Sequence, residues 1–448
     1  MANTSFLCEL AWLGGPSANS NVLIDVIDGR ISAITTGVTT HPDATLLPGL
    51  TLPGFANAHS HAFHRALRSR THFGQGSFWS WRDQMYNVAV RLNPDSYFDL
   101  ARATYGEMVC AGITSVGEFH YLHHGQDGVP YQDPNAMADA LIAAAHEAGI
   151  RLTLLDTCYL QGAIGVEPNE TQRRFSDGDV SSWMDRVERL RSASSSQDTC
   201  IGAAIHSVRA VDRESMTSVA AWARAANAPL HAHVSEQPAE NEQCIAAYGA
   251  TPMQVLADSG ALSERFTAVH ATHLAQSDVD VLSSHRCTVC MCPTTERDLA
   301  DGIGSTQEFR RSGVPLSLGS DSHALIDLFE EARAVEMNER LRSLQRGTHQ
   351  AQELLTAATA TGHASLGWPD TGKIEVAMSA DLVSVRLDSL RTAGTDAACA
   401  IEAAVFAASA TDVHHVVVGG RVVVRDHHHV SFDVSRALAT SIESLWTQ

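Results

Sequence analysis

The sequence predicts an α/β protein: a (β/α)₈ barrel of the TIM type with a small β-sandwich domain built from both termini. Three observations carry this reading. Eight short apolar runs of β character recur through the middle of the chain, separated by helical patterns. Strand-like texture also fills the two ends. Polar residues suited to metal binding or acid–base work follow central runs 1, 4, 5, 6 and 8. Only a closed ring brings all those run ends to one point; the rival, a doubly wound open sheet, does not.

The elements follow in order. Ser5–Trp12, Val22–Val26 and Arg30–Ile34 read as short strands, with Asp28-Gly29 as the hairpin turn between the last two. At the far end Asp381–Val385, Val416–Val418 and Val422–Val424 match them, the last pair flanking Gly419-Gly420-Arg421. Residues 1–52 and 373–448 are therefore expected to form one composite β domain, and residues 53–372 the barrel. The eight barrel runs are Leu50–Phe55, Ser115–Phe119, Leu152–Asp156, Ile201–Ile205, Pro229–His233, Phe266–His270, Cys287–Met291 and Pro315–Gly319. Helical patterns at Asp95–Ala111, Ala136–Ala148 and Met216–Ala226 lie between them. Gly112, Gly149, Gly260 and Gly313 stand where helix C-caps need glycine.

Composition excludes several functions. The 448 residues carry a formal charge of −20, which disfavours a phosphate backbone as partner. No apolar run approaches the ~20 residues of a membrane span. The start, Met1 to Phe6, lacks the basic head and long apolar core of a signal peptide. Nine scattered cysteines fit reduced thiols better than a disulfide framework, so a cytoplasmic location is expected. Of 31 basic residues only Lys373 is a lysine, and it lies well past the last candidate ligand.

The chemistry begins at Asn57-Ala58-His59-Ser60-His61. Histidines two apart at a strand end point to the same side, and two imidazoles so placed suit one metal ion. His59, His61, His233 and Asp321 form the candidate ligand set, three imidazoles and a carboxylate. Zinc accepts N and O donors and can keep one position for water, while Fe²⁺ or Mn²⁺ fits the same ligand types. In His231-Ala232-His233-Val234-Ser235-Glu236, His233 is preferred because Glu236 then stands beside the metal, and His231 is read as lying deeper in the barrel. Asp321 would touch the metal and take a proton from the metal-activated water. That water would attack an sp² carbon, Glu236 would carry a proton to the leaving nitrogen, and His270 would stabilise the developing charge. The reaction class is hydrolytic deamination or amide-type hydrolysis. The fourth run ends in His206, and the single lysine is remote, so no carbamylated lysine can bridge a second metal and one ion per subunit is expected.

This set, Pro53-Gly54-Phe55 with His59-x-His61, His233-x-x-Glu236, His270 and Ser320-Asp321, resembles the amidohydrolase superfamily in its mononuclear deaminase branch. The resemblance spans nearly the whole chain, including the split β domain.

The substrate hints lie on loops expected at the barrel mouth. Arg82, in Phe78–Asp83, and Arg209, in His206-Ser207-Val208-Arg209, could each clamp a carboxylate in two-pronged fashion. Together with Tyr121 and His206 they favour a small anionic substrate despite the acidic chain. The combination of His59–Phe63, Trp81-Arg82, Tyr121, His206-x-x-Arg209 and His233–Gln237 resembles the N-formimino-L-glutamate deiminases. That resemblance implies ammonia release from a formimino group, with Arg209, Arg82, Tyr121 and His206 holding the amino-acid part, and a homodimer. His64 departs from the glutamine usual in that family, which makes a related formimino amino acid conceivable.

Two further readings compete. A purine, pyrimidine or nucleoside deaminase would need aromatic and amide contacts rather than two arginines. A non-catalytic scaffold would have lost metal ligands, yet all are present. Four features look like sites and are read as none: His273 and His323 fall outside the ligand set, Cys287-x-x-Cys290-x-Cys292 reads as buried core, and His414, His415 and His427–His429 read as a solvated strand end.

Overall fold

Two eight-stranded sheets organise the chain, and their joint is the place where sequence and structure part. The computed structural model describes residues 3–72, 76, 78–194 and 196–447. The first sheet opens as an antiparallel meander, β1 (Asn3–Ala11), β2 (Asn19–Ile27) and β3 (Arg30–Thr36). Asp28 and Gly29 take φ of 50° and 80°, the left-handed pair of a two-residue hairpin turn. Then β4 (Thr45–Pro53) returns parallel to β1.

Leu50–Phe55, expected as the first barrel strand, is divided between the two sheets. β4 ends at Pro53 and the barrel strand β5 (Phe55–Ser60) begins two residues later. Gly54 makes the joint: a Cβ there would lie 2.3 Å from Thr114 Oγ1. An unbroken apolar run conceals such a joint, because both sheets bury the segment on both faces.

The barrel strands are β5, β6 (Ile113–His120), β7 (Arg151–Cys158), β8 (Thr199–Ile205), β9 (Leu230–Val234), β10 (Phe266–His270), β11 (Thr288–Met291) and β12 (Leu316–Leu318). They pair in chain order, all parallel. A parallel bridge between Ser60 and Asp321 brings the last strand back to the first. Seven of the eight expected runs thus fall on their strands.

Helices α1 (Phe78–Ala89) and α2 (Pro94–Cys110) lie between β5 and β6. Phe78–Asp83, expected as a loop, forms the start of α1. Asn93 and Ser96 cap α2 reciprocally. The helix Ala136–Ala148 stops at Gly149, whose φ of 70° is free of Cβ strain. The helix expected over Met216–Ala226 starts at Arg213 instead, because the Asp212 side chain accepts from Ser215 N at 3.0 Å and so fixes an earlier N-cap.

The chain ends return to the first sheet through β13 (Leu382–Val385), β14 (Val413–Val418), β15 (Arg421–Arg425) and β16 (His428–His429). The sandwich at the termini is thus one mixed sheet folded over itself: a Cβ on Gly420, in the β14–β15 turn, would meet Val26 on β2. Phe6, Val22, Ile24, Leu47, Leu382 and Val417 fill its interior. Arg151 at the start of β7 ties the barrel to this sheet, donating from Nε to the buried Asp381 at 2.9 Å. No helix among the described residues is long and apolar enough to cross a membrane.

Candidate active site

The C-terminal ends of the barrel strands gather the sequence-predicted residues at one point. His59 lies on β5 and His61 one residue past it; their alternation turns both rings inward, 4.7 Å apart. Asp321 arrives from the other end of the barrel. Its N–H donates to His59 O at 3.0 Å, and its own carbonyl accepts from His61 N at 3.4 Å. Asn57 staples the same seam, donating to Ser320 Oγ at 2.7 Å and accepting from Ser320 N at 2.9 Å. Closing the barrel and assembling the cluster are therefore one event.

The cluster has the chemistry of a cation site. His61 Nδ1 donates to Phe119 O, and His233 Nδ1 to His206 O, each at 2.9 Å. A carbonyl can only accept, so both rings carry their proton on Nδ1 and turn a bare Nε2 inward. His59 Nε2 stands 3.1 Å from His233 Nε2, and its buried Nδ1 has no hydrogen-bond partner. Asp321 Oδ1 is 3.4 Å from Nε2 of both His59 and His61. Bare lone pairs and a carboxylate converging this closely fit a divalent cation. Burial pushes the pKa of His59, His61 and His233 down, which keeps all three in the neutral form that ligation needs.

The acid–base groups stand around it. His270 Nε2 is 3.7 Å from Asp321 Oδ2 and 3.8 Å from Glu236 Oε1. Burial alone would depress His270, but Glu236, Glu296 and Asp321 outweigh it and hold the imidazole protonated well above its usual range. Burial raises the Glu236 carboxyl, against the opposing pull of His270 and Arg209. Burial also works against ionisation of Asp321, yet His59 and His270 hold that carboxyl well below the usual carboxylate range. Two carboxyl groups in one pocket are thus driven apart, one toward base and one toward acid.

A cavity of about 680 Å³, counted with its open mouth, leads down to the cluster. His64, Arg82, Tyr121, His206 and Arg209 all line it, together with Glu236, His270 and Asp321. Arg82 reaches this cavity from its own chain, its guanidinium 4.5 Å above the Trp79 ring. Arg209, on the turn that follows β8, is mostly covered rather than fully exposed, with Glu240 at 3.4 Å and Glu236 at 3.9 Å. His64 hydrogen-bonds the Tyr121 hydroxyl at 2.9 Å, and one of its nitrogens also lies within 4.8 Å of ligand atoms on His61 and Asp321. Burial lowers its pKa to about 3, so it is neutral there.

The features read as no site stay outside. His231 bonds Ser365 O deeper in the barrel, His323 bonds Ser60 and Ser320, and His273 bonds Asp301 O. Cys287, Cys290 and Cys292 are buried free thiols. Some contributors went unread in the sequence. Glu296 stands 3.5 Å from His270 Nδ1, Glu240 holds Arg209, and Tyr86, Tyr159 and Phe175 wall the cavity. Glu118 accepts from Ser60 Oγ and Ala62 N, each at 2.7 Å, beneath the two ligand histidines. A carboxylate inside an apolar run was the available signal for Glu118.

A profile described as the Amidohydrolase family matches residues 50–423. The chain belongs to the amidohydrolase family. Among its curated relatives, a formimidoylglutamate deiminase of Pseudomonas aeruginosa is 36% identical over 397 residues, covering 86% of this chain and 87% of that one. A 5-methylthioadenosine/S-adenosylhomocysteine deaminase of Halobacterium salinarum is 28% identical, over 93% and 91% of the two chains. Of solved structures, an amidohydrolase from Brucella melitensis superposes with a TM-score of 0.91 at 32% identity, covering 99% of this chain and all of that one. An adenosine deaminase from Xanthomonas campestris with bound zinc follows at 0.85 and 22%, covering 99% of each chain, a likeness of fold alone. This amidohydrolase is accordingly a hydrolase with a His/Asp cluster suited to a divalent metal.

Proposed function

We propose that this amidohydrolase deiminates N-formimino-L-glutamate, adding water across the formimino carbon to give N-formyl-L-glutamate and ammonia. The observation that carries the reading is the pair of arginines, Arg82 and Arg209, lining the cavity that descends to His270, Glu236 and Asp321. A small dicarboxylate fits two guanidinium groups, and the 36% identical relative bears the matching name.

The residues divide the work. His59, His61, His233 and Asp321 would hold one zinc ion, and the same N and O donors also accept Fe²⁺ or Mn²⁺. An ion held there would supply Lewis acidity and lower the pKa of a water toward neutrality. Asp321, kept ionised, accepts the proton of the attacking water. Glu236, with its raised pKa, carries a proton to the leaving nitrogen, which departs as ammonia. The His270 cation faces the charge that develops at the attacked carbon's substituents. Arg209, Arg82, Tyr121 and His206 hold the glutamate part, while His64, neutral and bonded to Tyr121, sets the shape of the inner wall.

A second reading has its own observation. Trp81, Tyr86, Tyr121, Tyr159 and Phe175 form an aromatic wall that would also suit a purine, and the 28% identical relative is named as a 5-methylthioadenosine/S-adenosylhomocysteine deaminase. The deciding experiment measures ammonia release by the zinc-loaded protein from N-formimino-L-glutamate, 5-methylthioadenosine, S-adenosylhomocysteine, adenosine, guanine and cytosine. Turnover of the formimino compound alone is expected. Turnover confined to a heterocycle would overturn the arginine-clamp reading while keeping the acid–base assignments.

A further inference from the structure

A second group of metal-binding side chains lies on the terminal sheet, away from the barrel mouth. His414 and His415 are neighbours on β14, and strand alternation should send their rings to opposite faces. The pairing with β13 prevents this. Ser384 pairs with His415 and Val385 with Val413, so His414 is the extra residue of a β-bulge. A bulge re-aims the side chain that it inserts. The two rings consequently stand on one side, with centroids 4.6 Å apart and their Nδ1 atoms 2.7 Å apart.

The β15–β16 hairpin brings the third donor. Asp426 and His427 take φ of 49° and 65°, the left-handed pair of a tight two-residue turn. The turn places Asp426 Oδ1 3.2 Å from His414 Nε2, and His427 donates its N–H to His414 O at 3.1 Å. One ligand atom from each of His414, His415 and Asp426 falls within 4.8 Å of the other two. The His427 ring stands 5.5 Å from that of His414. The remaining two histidines of the run are engaged elsewhere: His428 with Asp426 O and His429 with Ala148 O. Asp426 is largely exposed, so an ion has a direct path in from solvent.

We propose that His414, His415 and Asp426 form a surface site for a borderline divalent cation of the zinc, nickel or copper class. Two imidazoles and one carboxylate match the preference of those ions over magnesium or calcium. The ion would clip the β15–β16 turn onto the bulge of β14. It shares no residue with the barrel cluster, so it stands or falls independently of the proposed reaction.

The test uses the full-length protein, stripped with a chelator and dialysed against Zn²⁺, with bound metal counted by mass spectrometry. Wild type is expected to hold one more equivalent per chain than His414→Ala and than Asp426→Asn; the latter alters only an exposed side chain and should fold normally. Loaded instead with Cu²⁺, wild type should show imidazole nitrogen couplings by electron paramagnetic resonance from a second site that both variants lack. His233→Ala should keep that site and lose the other. Equal zinc counts in wild type and both variants would overturn the proposal.

Discussion

The barrel mouth and the terminal sheet use their buried interiors to opposite ends. In the terminal sheet, left-handed φ outside glycine falls at Asn21 on β2 and at the turn residues Asp28, Asp426 and His427, and the interior is filled by Phe6, Val22, Ile24 and Leu382. At the mouth, Ser235, His270, Ala271, Asp321 and His323 all carry positive φ at the ends of barrel strands, and the interior holds His59, His233, Glu236, Glu240 and Glu296. Backbone strain and buried charge cost stability, and they persist only where the surroundings over-determine them. The difference teaches that stability is concentrated in the sheet and orientation at the mouth. Substitutions in the two regions should therefore separate activity from folding.

The largest effect belongs to the mouth. Asp321→Asn keeps the shape but removes the base and weakens the cation site. Steady-state kinetics on the turned-over substrate should show kcat lower by about 10²–10⁴-fold, the range of a lost acid–base group, with little change in melting temperature. Chelation of the wild type should have the same sign, reversed by adding zinc back. An active Asp321→Asn enzyme would break the comparison at its strongest point.

The sheet should show the converse. Leu382 on β13 is fully buried among Phe6, Val22 and Val417. Leu382→Ala should lower unfolding stability by about 2–5 kcal/mol in chemical denaturation, the usual cost of a large-to-small core change, and leave kcat/KM of the folded fraction unaltered.

Arg209 tests the cavity more finely. Arg209→Met should raise KM about 10–100-fold, the worth of a lost charge-assisted hydrogen bond, while kcat falls much less. Because Glu240 and Glu236 face Arg209, part of any loss would come from leaving those carboxylates without their counter-ion. Glu240→Gln separates the two effects: a KM rise of the same direction but smaller size is expected. An unchanged KM in Arg209→Met would place the carboxylate clamp elsewhere.

How much of this was legible in the sequence follows from the same contrast. The ligands were legible because their chemistry and strand-end spacing are local: His59-x-His61 shows its geometry in three residues. Seven barrel strands were legible as apolar runs of the right length. The joint at Gly54 was not, since an apolar run through two sheets has no internal mark. Glu240 and Glu296 were not either. They sit on helices, where an acidic residue in the first turn reads as a dipole partner, and only the closed barrel turns them toward Arg209 and His270. The clustering of His414 with His415 was hidden by a bulge, which depends on the register of a distant partner strand.

Glu118 tests which charge state the buried wall at the mouth holds. It lies on β6 in the buried wall, and burial lifts its carboxyl from 4.5 to about 8, against the hydrogen bonds from Ala62 N and Ser60 Oγ. A folded-state pKa above the unfolded one means that the folded protein holds the proton more tightly. Its contribution to stability is fully present below pH 4.5 and is lost as pH rises toward 8. Glu118→Gln keeps the shape and removes the titration. Melting temperatures followed between pH 5 and 8 should therefore fall less steeply in the variant than in wild type, with the two converging at the acid end. Parallel curves would mean that Glu118 is ionised in the folded protein throughout, held so by its two donors, and that the seam beneath His59 and His61 carries a fixed negative charge rather than a proton.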